Sequence, residues 1–148
     1  MQEILDQCQG LEEVTFAAGD VILPEGETTG RLYILISGAL EVIKGESPIT
    51  VLTEPGSLVG DGSALLECPH PVTVAAAEET RCYVAHDARN FLASHPELTF
   101  LVAEVLARRL KGMIGYLADL RNQYKGRNDQ YGSADELLLH LAHRTPKR

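Results

Sequence analysis

Positive charge is scarce through most of this chain: residues 1–103 hold 4 lysines and arginines against 16 aspartates and glutamates. So acidic a surface repels nucleic acid, because neutralising phosphates supplies most of the non-specific affinity. Residues 104–148 reverse the sign, with 9 basic against 5 acidic residues, so any approach to nucleic acid falls to the C-terminal arm. Cysteine is sparse as well. Cys8, Cys68 and Cys82 lie far apart and form no CxxC pair, which argues against a zinc site or a disulfide framework and leaves reduced thiols. Long hydrophobic runs are missing too. Nothing approaches the ~20 apolar residues that span a bilayer, and "MQEILDQCQG" lacks the basic start and apolar core of a secretory signal. A cytoplasmic protein with no membrane partner is expected.

What is present suits one folded body. At 148 residues the chain is long enough to bury roughly 70% of the surface its unfolded form exposes. Residues 2–8 predict a short helical piece that gives way to a loop. From Val14 the pattern becomes short apolar runs between glycines: "VTF", "DVIL", "RLYILISG", "ALEVIK", "ITVLTEPG", then "VTVAAAE" and "RCYVA". Such runs read as strands, and their close spacing reads as a sandwich or barrel. Gly19-Asp20, Glu25-Gly26, Ser37-Gly38 and Pro55-Gly56 punctuate them with turns, and Glu78-Glu79-Thr80 joins the last two.

The period changes after residue 86. Asp87 is a good N-cap for "ARNFLASH", and Pro96 suits the first turn of a new helix. From Leu98 to Lys125 there is no proline, and Leu106, Leu110, Met113, Leu117, Leu120 and Tyr124 are spaced 4, 3, 4, 3, 4. That is a heptad seam, which predicts pairing of two copies; a helix packed along its own barrel gives a similar stripe. "GRNDQYGSAD" reads as a linker and "ELLLHLAH" as a last short helix before a basic end.

Barrel strands, a glycine-rich loop between late strands and then a long heptad helix: this order resembles the cyclic nucleotide-binding domain of catabolite-activator-like regulators. "AAGDVILPEGE" is similar to the family's opening strand pair and "RLYILISGALEVI" to its most recognisable strand and turn. "PGSLVGDGSALLECPHPVTV" is similar to its phosphate-binding cassette, and "HPELTFLVAEVLARRL" to the start of its dimerisation helix. The likeness covers residues 14 to 125. It implies a mainly β fold with flanking helices, a jelly-roll barrel followed by a long dimerisation helix. The corresponding division is a barrel over 1–97, the helix over 98–125, and a linker with a short basic tail helix over 126–148. It also implies a ligand, cAMP or cGMP, and a homodimer through residues 102–124, with no further cofactor.

In ligand-binding members the cassette glutamate accepts a hydrogen bond from the ribose, and an arginine nine residues on pairs with the cyclic phosphate. A guanidinium suits that task because its planar fork matches phosphate oxygens. Here Gly60 matches the cassette glycine, Asp61 stands where the glutamate is expected, and Gly62 and Ser63 follow. His70 stands at the arginine position, with Pro71, Val72 and Thr73 after it. Asp61 keeps an acceptor on a shorter stem. His70 gives up the fork, and losing a charge-assisted pair costs about 1.5–3 kcal/mol, or about 10- to 150-fold in affinity. The helix position that reaches over the purine aligns with Met113 and Ile114, which offer no hydrogen bond. Arg109 is the candidate to pair with Asp61. Each has a plain alternative: Asp61 as a turn residue, His70 capping a strand, Met113 and Ile114 in core or seam, Arg109 on a solvated helix face.

Two functions stay open. One is a sensor that binds a cyclic nucleotide and signals through the helix pair, alone or as the sensor half of a transcription regulator. The other is a degenerate barrel that has kept fold and dimer and serves as a protein-interaction module. A cupin-type metalloenzyme would need two closely spaced histidines and a carboxylate on barrel strands, and histidines 70, 86, 95, 140 and 143 do not supply them. His140 and His143, three apart on the tail helix, form a weak metal pair. No nucleophile motif or carboxylate pair suggests an enzyme. DNA-binding relatives carry a helix-turn-helix module after the long helix; 23 residues follow Lys125 here, so direct sequence-specific DNA binding by this chain is not expected.

Overall fold

The computed structural model describes residues 1–123 of the chain. The chain divides into two compact units, Met1–Val102 and Ala103–Arg148. Eight strands form the body of the first. β1 (Glu12–Phe16), β8 (Thr80–Ala85), β3 (Leu32–Ser37) and β6 (Leu58–Val59) lie side by side in one sheet. β2 (Val21–Leu23), β7 (Thr73–Ala76), β4 (Leu40–Lys44) and β5 (Ser47–Leu52) form the other. All the pairings are antiparallel, and most neighbours in space are distant in sequence, as in a jelly roll.

Side chains from both sheets make the core: Ile22, Leu23, Tyr33, Leu35, Leu40, Val59, Val74, Ala76, Cys82 and Val84. Each fully buried aliphatic side chain contributes about 1.5–3 kcal/mol of transfer free energy. The unbroken apolar run of β3 has its own explanation. Tyr33 and Leu35 enter this core, while Leu32 and Ile34, on the opposite face, are fully buried as well. A strand covered on both faces cannot alternate with polar residues. Burial also sets the chemistry of two thiols, pushing Cys8 up to about 11 and Cys82 up to about 12.

The turn from β3 to β4 shows why its glycine is needed. Gly38 has φ 98°, and a Cβ there would lie 2.5 Å from both the Glu79 carbonyl and the Thr80 hydroxyl. Thr80 is fully buried, and its hydroxyl accepts from the Ala39 N–H at 3.1 Å, pinning this turn to the one before β8.

Four helices accompany the sheets: α1 (Gln2–Gln7), α2 (Asp61–Leu66), α3 (Ala88–Ser94) and α4 (Pro96–Gln123). Asp87 caps α3, its carboxylate accepting from the Asn90 N–H. Pro96 opens α4, where its missing N–H costs nothing. Leu98 and Val102, in the part of α4 that belongs to the first unit, are fully buried. Beyond Ala103, in the second unit, Leu110, Met113, Ile114 and Tyr116 are exposed on the same helix. Among the described residues no helix is long and apolar enough to cross a membrane.

Three details differ from expectation. The segment after Gly60, expected as a loop, folds into α2, and the preceding Leu58 and Val59 pair with Ile34 and Tyr33 as β6. β1 begins at Glu12, where the charged side chains point to solvent and so hide the strand pattern. β5 begins before Pro48, which an edge strand tolerates because its outer N–H groups have no ladder to serve. Tyr124, the linker and the tail helix with His140 and His143 lie outside the described residues.

Candidate functional site

Gly60 sets the entry to α2. It adopts φ 83° as the N-cap, and its Cα faces the Arg31 carbonyl so closely that a Cβ would collide with it. Asp61 and Ser63 follow on the first turn of α2, and both are buried. A Cβ on Gly62 would meet open space, so close approach does not explain that glycine. The helix ends on Glu67, which adopts left-handed angles (φ 52°, ψ 46°). Arg89 of α3 donates to the Leu65 carbonyl at 3.1 Å and pairs with Glu67 at 3.4 Å, placing a cation at the negative end of α2.

From there the chain returns toward β7 through His70, which is 3% exposed. Its backbone is clasped from both sides: the Gly26 N–H donates to the His70 carbonyl at 2.9 Å, and the His70 N–H donates to the Glu27 carbonyl at 2.8 Å. The imidazole bridges two hydroxyls. Nδ1 lies 2.6 Å from Ser63 Oγ and Nε2 lies 2.8 Å from Thr29 Oγ1. Thr29 Oγ1 also accepts from the Arg31 N–H at 3.3 Å, which ties the ring to the strand carbonyl that faces Gly60. Burial pushes the His70 pKa below its ordinary 6.5, and the Glu27 carboxylate opposes this more weakly.

The residues after His70 have structural partners. The Pro71 carbonyl accepts from Lys44 Nζ at 2.9 Å, and the same ammonium pairs with Glu25 at 2.6 Å. Val72 packs against the core, and the Thr73 hydroxyl accepts from the Glu25 N–H at 3.1 Å. The fold therefore brings Gly60, Asp61, Gly62 and Ser63 onto the start of one helix and joins Ser63 to His70. Arg109, Met113 and Ile114 lie on α4 in the second unit, with the last two 61% and 49% exposed. Among the described residues no group of three His, Cys, Asp or Glu is placed to hold a metal ion.

Sequence reasoning missed Glu27 and Thr29. Thr29 stands 41 positions from His70, in a polar turn "EGETTG" whose composition announces only a turn. The resemblance marked where His70 stands, and nothing in the spacing marked what would meet it.

The model of the cyclic nucleotide-binding domain matches residues 13–93. A CRP-like cAMP-activated global transcriptional regulator of Mycobacterium tuberculosis is 31% identical over 140 residues, covering 90% of this chain and 60% of its own. The chain thus spans about three-fifths of that relative. The crystal structure of the Thermus thermophilus catabolite activator protein superimposes with a TM-score of 0.67 at 23% identity, over 81% of this chain and 60% of that one. The regulatory subunit of a cAMP-independent protein kinase A from Trypanosoma cruzi, bound to guanosine, matches with a TM-score of 0.50 at 30% identity, over 53% of this chain and 29% of that one. With a jelly-roll barrel, a cassette segment in place and the family match across most of that barrel, the chain belongs to the cyclic nucleotide-binding domain family.

Proposed function

We propose that this chain is the ligand-sensing module of a regulator. It takes a small cAMP- or cGMP-like ligand at segment 60–73 and passes the event on through α4, paired with α4 of a second copy over residues 102–124. The corresponding division is a sensing barrel over 1–97, a pairing helix over 98–125 and a tail over 126–148. The observation that carries the reading is the meeting of cassette residues: Asp61 and Ser63 on one helical turn, with His70 hydrogen-bonded to Ser63 at 2.6 Å. The printed name of the Mycobacterium relative, cAMP-activated, supports a ligand of this class, and the guanosine in the Trypanosoma structure supports a nucleoside core as the recognised part. The module's work is binding, not catalysis, and it does not read DNA by itself.

A second reading has its own observation. Both ring nitrogens of His70 already meet protein hydroxyls, and no buried side-chain polar atom among the described residues lacks a partner. A barrel so satisfied can stand as an interaction module without ligand. Calorimetric titration with cAMP and cGMP, on the wild type and on His70→Arg, separates the two. The sensor reading expects weak saturable binding that tightens about tenfold or more in the variant, because arginine restores a charge-assisted fork to the phosphate. A folded variant that binds no better than wild type overturns the sensor reading.

A further inference from the structure

The charges around segment 60–73 bear on the charge of its ligand. Residues 1–102 contain four lysines and arginines: Arg31, Lys44, Arg81 and Arg89. Lys44 is held by Glu25 and the Pro71 carbonyl, Arg81 by Glu13 at 2.6 Å, and Arg89 by Glu67 and the Leu65 carbonyl. Arg31 is exposed. Facing them, the Asp61 carboxylate is buried on the first turn of α2, and the Glu27 charge acts on His70. The cassette therefore has an acid, a histidine and two hydroxyls at its centre, with the local acids outweighing any cation bound there.

We infer that the site around Asp61, Ser63 and His70 selects an uncharged ligand of the nucleoside class and disfavours the cyclic phosphate. The inference rests on the ligand-sensing reading above and refines it. A neutral imidazole offers one donor and one acceptor, and each hydroxyl offers one donor and two acceptor sites. Bridging Ser63 and Thr29 uses both ring positions but leaves each hydroxyl with capacity for a ligand hydroxyl or amide. The Asp61 carboxylate, with several lone-pair directions, accepts from a ribose diol whatever else it accepts from. A ribose asks for nothing more. A phosphate monoanion entering the same place is stripped of water beside a buried carboxylate and meets no matching cation, which is unfavourable. Protonating His70 to supply one works against the burial that keeps the ring neutral.

The test titrates the full chain at neutral pH with adenosine, guanosine, cAMP and cGMP, following both heat and thermal stabilisation. At least one nucleoside is expected to bind wild type about tenfold or more tightly than its own cyclic nucleotide. His70→Arg is expected to reverse that order. A wild type that binds cAMP or cGMP as tightly as the matching nucleoside overturns the inference, and Arg31→Gln then shows whether Arg31 supplies the charge. A wild type that binds none of the four also overturns it. If His70→Arg gains cAMP binding in that case, the sensor reading survives and the ligand assignment alone falls; if the folded variant binds nothing, both fall. The wild-type comparison needs no variant to fold.

Discussion

A single substitution at position 70 changes both a charge and the thing that charge served. Where the family resemblance implies an exposed-to-ligand guanidinium, this chain has an imidazole sealed among Ser63, Thr29 and the 26–27 turn. Such a ring carries a stability signature. Its folded pKa lies below the ordinary 6.5, so as pH falls the unfolded state takes up the proton first. The stabilising effect of the neutral ring is present above pH 6.5 and is lost as pH falls toward the lower folded pKa. Thermal melts between neutrality and about pH 5 should therefore show a steeper loss of stability for wild type than for His70→Gln, which has nothing to titrate there. Equal slopes would mean that His70 keeps an ordinary pKa and that its burial is relieved in solution. The same lowered pKa revises the expectation of binding favoured below pH 6.5: any assistance from a charged ring comes at lower pH.

At the scale of elements, legibility followed length and contrast. β3 and β4 could be read from "RLYILISGALEVIK" because a glycine splits two long apolar runs, and α3 and α4 because Asp87 and Pro96 mark their starts. β6 could not, since two residues carry no period, and α2 could not, since its six residues begin with Asp-Gly, a turn signal. The site was legible in position and illegible in detail. Gly60, Asp61 and His70 fall in one segment, whereas Thr29 reaches His70 through folding alone. The seam of α4 is the element whose pattern asks for a partner. Leu110 and Met113 are 56% and 61% exposed in the single chain, and at 100° per residue Ile114 and Tyr116 flank them on either side. Pairing two such faces removes apolar surface from water at roughly 25 cal/mol per Å². An aspartate at position 117 would bury an uncompensated charge in that seam. Light scattering is expected to give a dimer for wild type and a monomer for Leu117→Asp. A wild-type monomer at tens of micromolar would remove the proposed dimer.

For the whole molecule, the distribution of charge decides which partners it can meet. Residues 1–103 carry 16 acids against 4 bases, and three of those bases are already spent on carboxylates within the barrel. On α4, Arg108 leans on Glu104 at 3.4 Å, so part of the basic arm is compensated locally. Reading a DNA sequence requires side chains at base edges in the major groove, held there by cationic contacts to phosphates on either side. The barrel presents the opposite field, and each acid near the duplex works against counterion release. The 148-residue chain is therefore expected to act on gene expression, if it does, through a protein docked on its helix pair or joined to it, and not by its own contact with bases. In a gel-shift at about 150 mM salt, where long-range attraction is largely screened, it should retard promoter fragments no better than random DNA. Sub-micromolar retardation that survives excess random competitor would place a base-reading surface on the basic arm, strong enough to overcome the barrel's field.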